Sequence, residues 1–517
     1  MAEQSERPAD LRAGAAGAEV VAFDPQARVW VKEAEVRAGR AGLAHVPRLE
    51  GSLRAHVTSL TDDADDFGHI VHHTPVVVLR TDSVEDITAM IALCNVYRIK
   101  VAARGQGHAT YGQAQVDGGM VIETEPLNHI GPVEGGQITV GAGALWSAVA
   151  LETLQHGLTP PVFTDYLELS VGGTLSVGGL GGQAHRLGAQ VDNVIALEVV
   201  TGTGDVVSCS PTQQPDLFHA VLAGLGQCAV IVSATLRLIT APRTVRHFLL
   251  PYSDLETFLA DQRILADDGR FAYVEGTVEA DDAGRYTKYV LEAVAYGPPA
   301  GPERSDAELL RGLRYDQSGL SKKVETRTYF GFLNRLAEGV EVLKRVHEWT
   351  WAHPWLNLLL PGDRAAELSR TLLDELAGQK VGGVVLLYPL VRRHLRSPLL
   401  RVPDDPVPYL MAVLWALDPA DQAAVTARVA ANHAAYERVR AAGGTQYPVG
   451  AIPMTADDWR AQYGEAWEEF AAAKRRYDPN NLLAPGQHIF TFRPIGSGGG
   501  PASGPASSSA DPAKSGA

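Results

Sequence analysis

The run ARGQGHATYGQAQ, residues 103–115, sets an imidazole, His108, among small residues that a helix disfavours and a packed strand could hardly use. Glycines let backbone N–H groups converge on an anion without side-chain obstruction, so such a loop can cradle a pyrophosphate where no helix terminus is used. A second stretch, VGGTLSVGGLGGQAHRLGAQ at 171–190, has the same character. Taken alone, each reads equally well as a structural turn. GLGQCA at 224–229 formally fits the dinucleotide fingerprint GxGxxG/A, which needs a strand before it and a helix after it. Here PDLFHAVLAG before it reads as helix and AVIVSATLRLIT after it as strand, so an NAD(P) site of that type is rejected. No phosphate-binding GxxxxGK[ST], zinc-binding HExxH or nucleophile-bearing GxSxG competes. Cys94, Cys209 and Cys228 form no CxxC pair, so they read as buried thiols and no metal site is expected.

The elements that must position these loops follow from periodicity. TPVVVLR reads as a strand, SVEDITAMIALCNVYR as a helix with a Ser N-cap and acidic first turn, and KVAAR as a strand again. GGMVIETE and GQITVGAG add strands, LWSAVALETLQHG a helix, and VIALEVVTGTGDVVS a hairpin turning on Gly/Asp. Residues 70–240 thus carry an α+β pattern and not a regular βαβα series. After PRTVRH near 242, amphipathic helices such as DRAAELSRTLLDELAG alternate with apolar strands such as GGVVLLYPL, a second α+β domain over 244–445. With 517 residues there is room for two or three domains, and no stretch of about 18 apolar residues could span a bilayer. A formal net charge of −15 repels phosphate backbones and anionic lipid, so neither nucleic acid nor membrane is an expected partner. Residues 1–49 read as a partly disordered leader without a secretion signal, which makes the cytoplasm the expected compartment. The Gly/Ser/Pro/Ala-rich tail at 493–517 reads as disordered.

From about 50 to 490 the chain resembles the cytokinin dehydrogenases, within the p-cresol methylhydroxylase and vanillyl-alcohol oxidase group of FAD-linked oxidases. The resemblance is carried by ARGQGHATYGQAQ, FTDYLELSVGGTLSVGGLGGQAHRLGAQVDNV, FAYVEGTV, HPWLNLLLPG, LLYPL and RRYDPNNLLAPGQHIF. It implies an α+β fold: a bipartite FAD domain over 50–243, completed by 446–492, with an inserted α+β substrate domain at 244–445. It further implies that His108 carries FAD covalently through the flavin's 8α-methyl group. Related oxidases add a cysteine tether, but no cysteine lies between Val101 and Val200, so a single bond is expected. Family members carry serine after the histidine; Ala109 stands here and keeps only the backbone N–H. By the same resemblance Asp165 is the catalytic base and Glu275 a second carboxylate near the substrate. Gly105, Gln106, Gly107, His108, Ala109, Gln113, Asp165, Ser170, Ser176, Leu180, Ile231, Tyr447 and Gln487 are the implied FAD contacts, and His185 is read as packing. The implied reaction oxidises N6-isoprenoid adenines, a small-molecule substrate class, with oxygen or a quinone-like electron acceptor. Oxidation of another alcohol or amine on the same fold is the alternative.

Overall fold

The computed structural model describes residues 20–37, 41–297, 304–317 and 322–492. Its first layer forms as the sequence pattern predicts. The apolar strand Val77–Arg80 leads to the helix Val84–Tyr97, which begins where Ser83 Oγ accepts from the Asp86 N–H at 3.3 Å. That helix crosses to the strand Val101–Arg104, and Met120–Glu123 lies between the two strands, parallel to both. Ser52–Arg54 closes one edge antiparallel. A second sheet orders Val206–Cys209, Val194–Thr201, Ala229–Arg237 and Gln137–Gly141, all antiparallel. The expected hairpin turns at Gly204, whose φ of 89° suits glycine. Around GLGQCA, the helix Pro215–Val221 precedes and the strand Ala229–Arg237 follows, the reverse of a dinucleotide fold.

From Thr244 the chain builds an eight-stranded antiparallel sheet in the order Lys323–Thr328, Thr244–Tyr252, Tyr286–Tyr296, Tyr273–Ala280, Val385–Pro389, Tyr409–Val413, Leu356–Leu360 and Thr445–Gln446. The helices Leu255–Asp268, Ala365–Glu375 and Gln422–Ala441 bury Phe258, Leu372 and Tyr436 in one apolar cluster with the sheet's Leu291 and Leu358. Each such side chain, fully buried, contributes roughly 1.5–3 kcal/mol. The chain then returns to the first layer: the Val101 N–H donates to Leu482 O and the Ala484 N–H to Val101 O, both at 2.9 Å.

The leader is more ordered than expected. Val20–Asp24, Val29–Lys32 and Ala44–His45 form a three-stranded antiparallel sheet, and Val20 and Phe23 share a core with Val77 and Ile91. Its apolar residues give it surface to bury, which a disordered leader lacks. Residues 1–19 and the tail beyond 492 lie outside the described residues. Among the described residues no helix is long and apolar enough to cross a membrane, and no cluster of metal-ligating side chains occurs.

Candidate active site

The loop that follows the strand Val101–Arg104 is fixed by its neighbours. Asp66, buried and pushed up to about 6 by desolvation, accepts the N–H groups of Gly68 and Gly112 at 3.0 and 2.7 Å. The Phe67 N–H donates to Gly107 O at 2.9 Å, and the Gly68 N–H to Ala109 O at 3.1 Å. Arg104 Nε pairs with Asp63 at 3.2 Å. On its other side the loop meets the C-terminal return: Thr110 Oγ1 donates to Val449 O at 2.9 Å and Gln113 Nε2 to Gly450 O at 3.0 Å. His108 thereby lies among rings, with centroids at 4.0 Å from Phe67, 5.3 Å from Tyr166, 5.8 Å from Trp355 and 6.0 Å from Trp349. Burial, with His353 adding repulsion, pushes its ring down to about 3, so the imidazole is neutral and its lone pair is available.

Asp165 immediately precedes Tyr166. Its Oδ1 accepts from the Tyr273 hydroxyl at 2.8 Å and from Arg335 Nη2 at 2.7 Å, while Arg335 also donates to the Tyr273 oxygen. Tyr273 and Glu275 alternate onto one face of their strand, and Glu275 stands directly opposite Glu292 on the next. Arg335 Nε reaches Glu292 at 3.2 Å, and His247 Nε2 lies 2.8 Å from the same oxygen. The Arg335 guanidinium and His247 hold the Glu292 carboxyl below its ordinary range, burial opposing them. Glu275 is 2 % exposed, has no hydrogen-bond partner for Oε1, and is raised well above the carboxylate range by burial and by Asp165. The site therefore holds one guanidinium, two anchored carboxylates and a buried carboxyl whose charged form is disfavoured.

The residues fit FAD. The two glycine stretches meet: a Cβ on Gly105 would come within 2.1 Å of Ser170 Oγ, so only bare backbone lets both approach one ligand. Tyr447, from the return, is buried, and its hydroxyl accepts from the Gly179 and Leu180 N–H groups at 3.0 and 3.4 Å. Gln113 and Gln487 line one cavity of about 220 Å³ between the first loop and the return. Ser176 Oγ donates to Gly172 O at 2.8 Å, inside the short helix Val171–Val177. Leu180 and Ile231 lie in the apolar cluster behind the second stretch, and Gln106 is exposed. His185 is buried between the carbonyls of Gly182 and Phe271, 2.8 and 3.2 Å from its two ring nitrogens, which is packing as expected.

Sequence reasoning missed Arg335, Tyr273, Glu292 and the ring of Trp349. Tyr273 was readable by its two-residue spacing from Glu275. Arg335 was not, because a lone arginine in YFGFLNRLAEG carries no signal of a carboxylate 170 positions away.

The chain matches the family model described as "Cytokinin dehydrogenase 1, FAD and cytokinin binding" over residues 280–490 and an FAD binding domain model over residues 75–210. An uncharacterized oxidoreductase, ORF5 in the fasciation locus of Rhodococcoides fascians, is 40% identical over 447 residues, covering 85% of this chain and 99% of that protein. Cytokinin dehydrogenase 8 of Oryza sativa subsp. japonica is 36% identical over 481 residues, covering 83% and 90%. Among solved structures, 6-hydroxy-D-nicotine oxidase from Arthrobacter nicotinovorans superposes with a TM-score of 0.66 at 23% identity, covering 84% of this chain and 96% of that one. A VAO-type flavoprotein of Myceliophthora thermophila gives a TM-score of 0.64 at 17% identity, covering 80% and 79%. The fold is that of the VAO-type flavoproteins, and the chain belongs to the cytokinin dehydrogenase family of FAD-dependent oxidoreductases.

Proposed function

We propose that the protein oxidises the side-chain amine of N6-isoprenoid adenines, giving an imine that water hydrolyses to adenine and an aldehyde. The observation that carries this reading is Asp165, a carboxylate anchored by Arg335 and Tyr273 next to the rings around His108. Both anchoring bonds fall on Oδ1, which leaves Oδ2 to take the substrate's N–H proton as the C–H bond gives up its hydride. Bound FAD supplies the hydride acceptor, which oxygen or a quinone-like acceptor restores. Glu275, whose neutral form burial favours, is a carboxyl suited to donate to a purine ring nitrogen, and Phe67, Tyr166, Trp349 and Trp355 offer faces for a planar base. The printed names of the rice relatives support the substrate class.

Residues 50–243 with 446–492 hold the cofactor in this reading, and 244–445 supply the substrate side. Gly105, Gly107, Ala109, Ser170, Ser176, Leu180, Tyr447 and Gln487 bind FAD, and the neutral His108 ring carries it covalently. Acid precipitation of the purified protein checks the bond: yellow colour in the pellet supports it, and colour released to the supernatant refutes it. Chromatography of a reaction with isopentenyladenine tests the activity. Stoichiometric adenine and aldehyde are expected; oxidation confined to non-purine alcohols or amines overturns the substrate assignment.

A further inference from the structure

The loop after the strand Val385–Pro389 lines a cavity of about 260 Å³ with Arg392, Arg393, Arg396 and Arg401. Arg392 and Arg401 are half-buried and Arg393 and Arg396 exposed, four like charges on the lining of one cavity in a chain of net charge −15 where carboxylates to pair with them are plentiful. Among the described residues, none of the four makes an ion pair with a carboxylate. Asp192, the acid nearest in the bonding pattern, spends its oxygens on the backbone N–H groups of Ala189, Arg396 and Ser397. Glu465 attracts Arg401 only from beyond ion-pair distance. Arg392 donates to Leu395 O and Arg396 to Asp192 O, both at 3.0 Å, yet the Nε atoms of Arg392 and Arg401 are buried without a partner. Buried donors without acceptors cost free energy that a bound anion would recover.

We propose that Arg392, Arg393, Arg396 and Arg401 form a binding site for a phosphate group, separate from the flavin and carboxylate machinery. The guanidinium fork matches phosphate oxygens bidentately, and 260 Å³ admits a phosphate with room for an attached group. Leu400, which lines the cavity, lies 3.0 Å from where a Cβ on Gly178 in the second glycine stretch would stand, and Tyr447 lies 3.4 Å from the same position.

The test is calorimetry on the FAD-loaded protein at constant ionic strength, with inorganic phosphate, adenosine 5′-monophosphate and adenosine as titrants. Saturable phosphate binding is expected, weakened at least tenfold in Arg393→Gln and in Arg401→Gln, with thermal stability retained in both. Tighter binding of the nucleotide than of phosphate assigns the phosphate to a nucleotide; equal binding assigns it to the free anion. No saturable binding, binding unchanged by both substitutions, or binding seen only in FAD-free protein overturns the site. The last result would make the cavity the cofactor's own pyrophosphate seat. None of these readouts uses oxidation of an adenine, so failure here is distinct from failure of the proposed activity.

Discussion

Glu275 and Glu292 face each other on adjacent strands, a placement that disfavours two negative charges. The pair divides its labour: Arg335 and His247 favour the charged form of Glu292, and burial favours the neutral form of Glu275. A carboxyl raised in this way is protonated below its shifted value and loses the proton as pH rises through it. Ionisation would set a second negative charge beside Asp165 and remove a donor. Turnover is therefore expected to decline on the alkaline side, and Glu275→Gln, which cannot ionise, should flatten that limb while keeping neutral-pH turnover within about tenfold. An alkaline limb unchanged in E275Q would assign it to another group. At this scale His108, Asp165 and Glu275 were legible because each lies in a recognisable run. Arg335 was invisible, since its role comes from a contact across two domains' worth of chain.

Elements bring these groups together through close approaches that particular residues permit. The second glycine stretch packs on the strand Tyr273–Ala280, where the Val274 N–H donates to Gly182 O at 2.9 Å. A Cβ on Gly182 would fall 2.6 Å from the Tyr273 ring. Gly182→Ala is expected to cost about 1–3 kcal/mol and, by moving Tyr273 off Asp165, to lower kcat more than it raises KM. Thermal melts and steady-state kinetics check this; a melt shift with unchanged kcat would deny Tyr273 its positioning role. The motif RRYDPNNLLAPGQ has a structural part as well. Buried Lys474 pairs with Asp478 at 2.7 Å and donates to Gln227 O at 2.7 Å, while Asp478 accepts the Leu482 and Leu483 N–H groups. Lys474→Met leaves a buried carboxylate unpaired and should destabilise by about 3–5 kcal/mol, read as a fall in melting temperature. Strands, helices and the reversed order around Gly224 were legible from periodicity. The ordered sheet at Val20–His45 was not, because three short pairings carry little period and gain their stability from a distant core.

For the whole molecule, the division into a cofactor layer and an eight-stranded sheet follows a change of texture near residue 242, where glycine-rich loops give way to amphipathic helices. The order of strands in that sheet is not local information; Val385–Pro389 joins Tyr273–Ala280 across more than a hundred residues by matching apolar faces. The pH dependence of stability follows from buried histidines and buried carboxyls together. Burial pushes His108 down to about 3 and His185 and His353 down to about 4 from 6.5, so the unfolded chain binds protons that the fold refuses. Their contribution is present above pH 6.5 and is lost as pH falls toward 4. Asp63 and Asp66, raised to about 6, and Glu275 and Asp192, also raised by burial, hold protons in the fold that the unfolded chain has released, and so oppose the three rings. The melting temperature should therefore change little between pH 6 and 4.5; a steep fall over that range would show that the histidines dominate. Anaerobic mixing of the FAD-loaded protein with isopentenyladenine, followed by flavin absorbance, tests the central claim most directly. The flavin band should bleach in the native protein and do so roughly 10²–10⁴-fold more slowly in Asp165→Asn with FAD still bound. Bleaching by a non-purine amine or alcohol but not by isopentenyladenine, or equal rates in D165N, would contradict it.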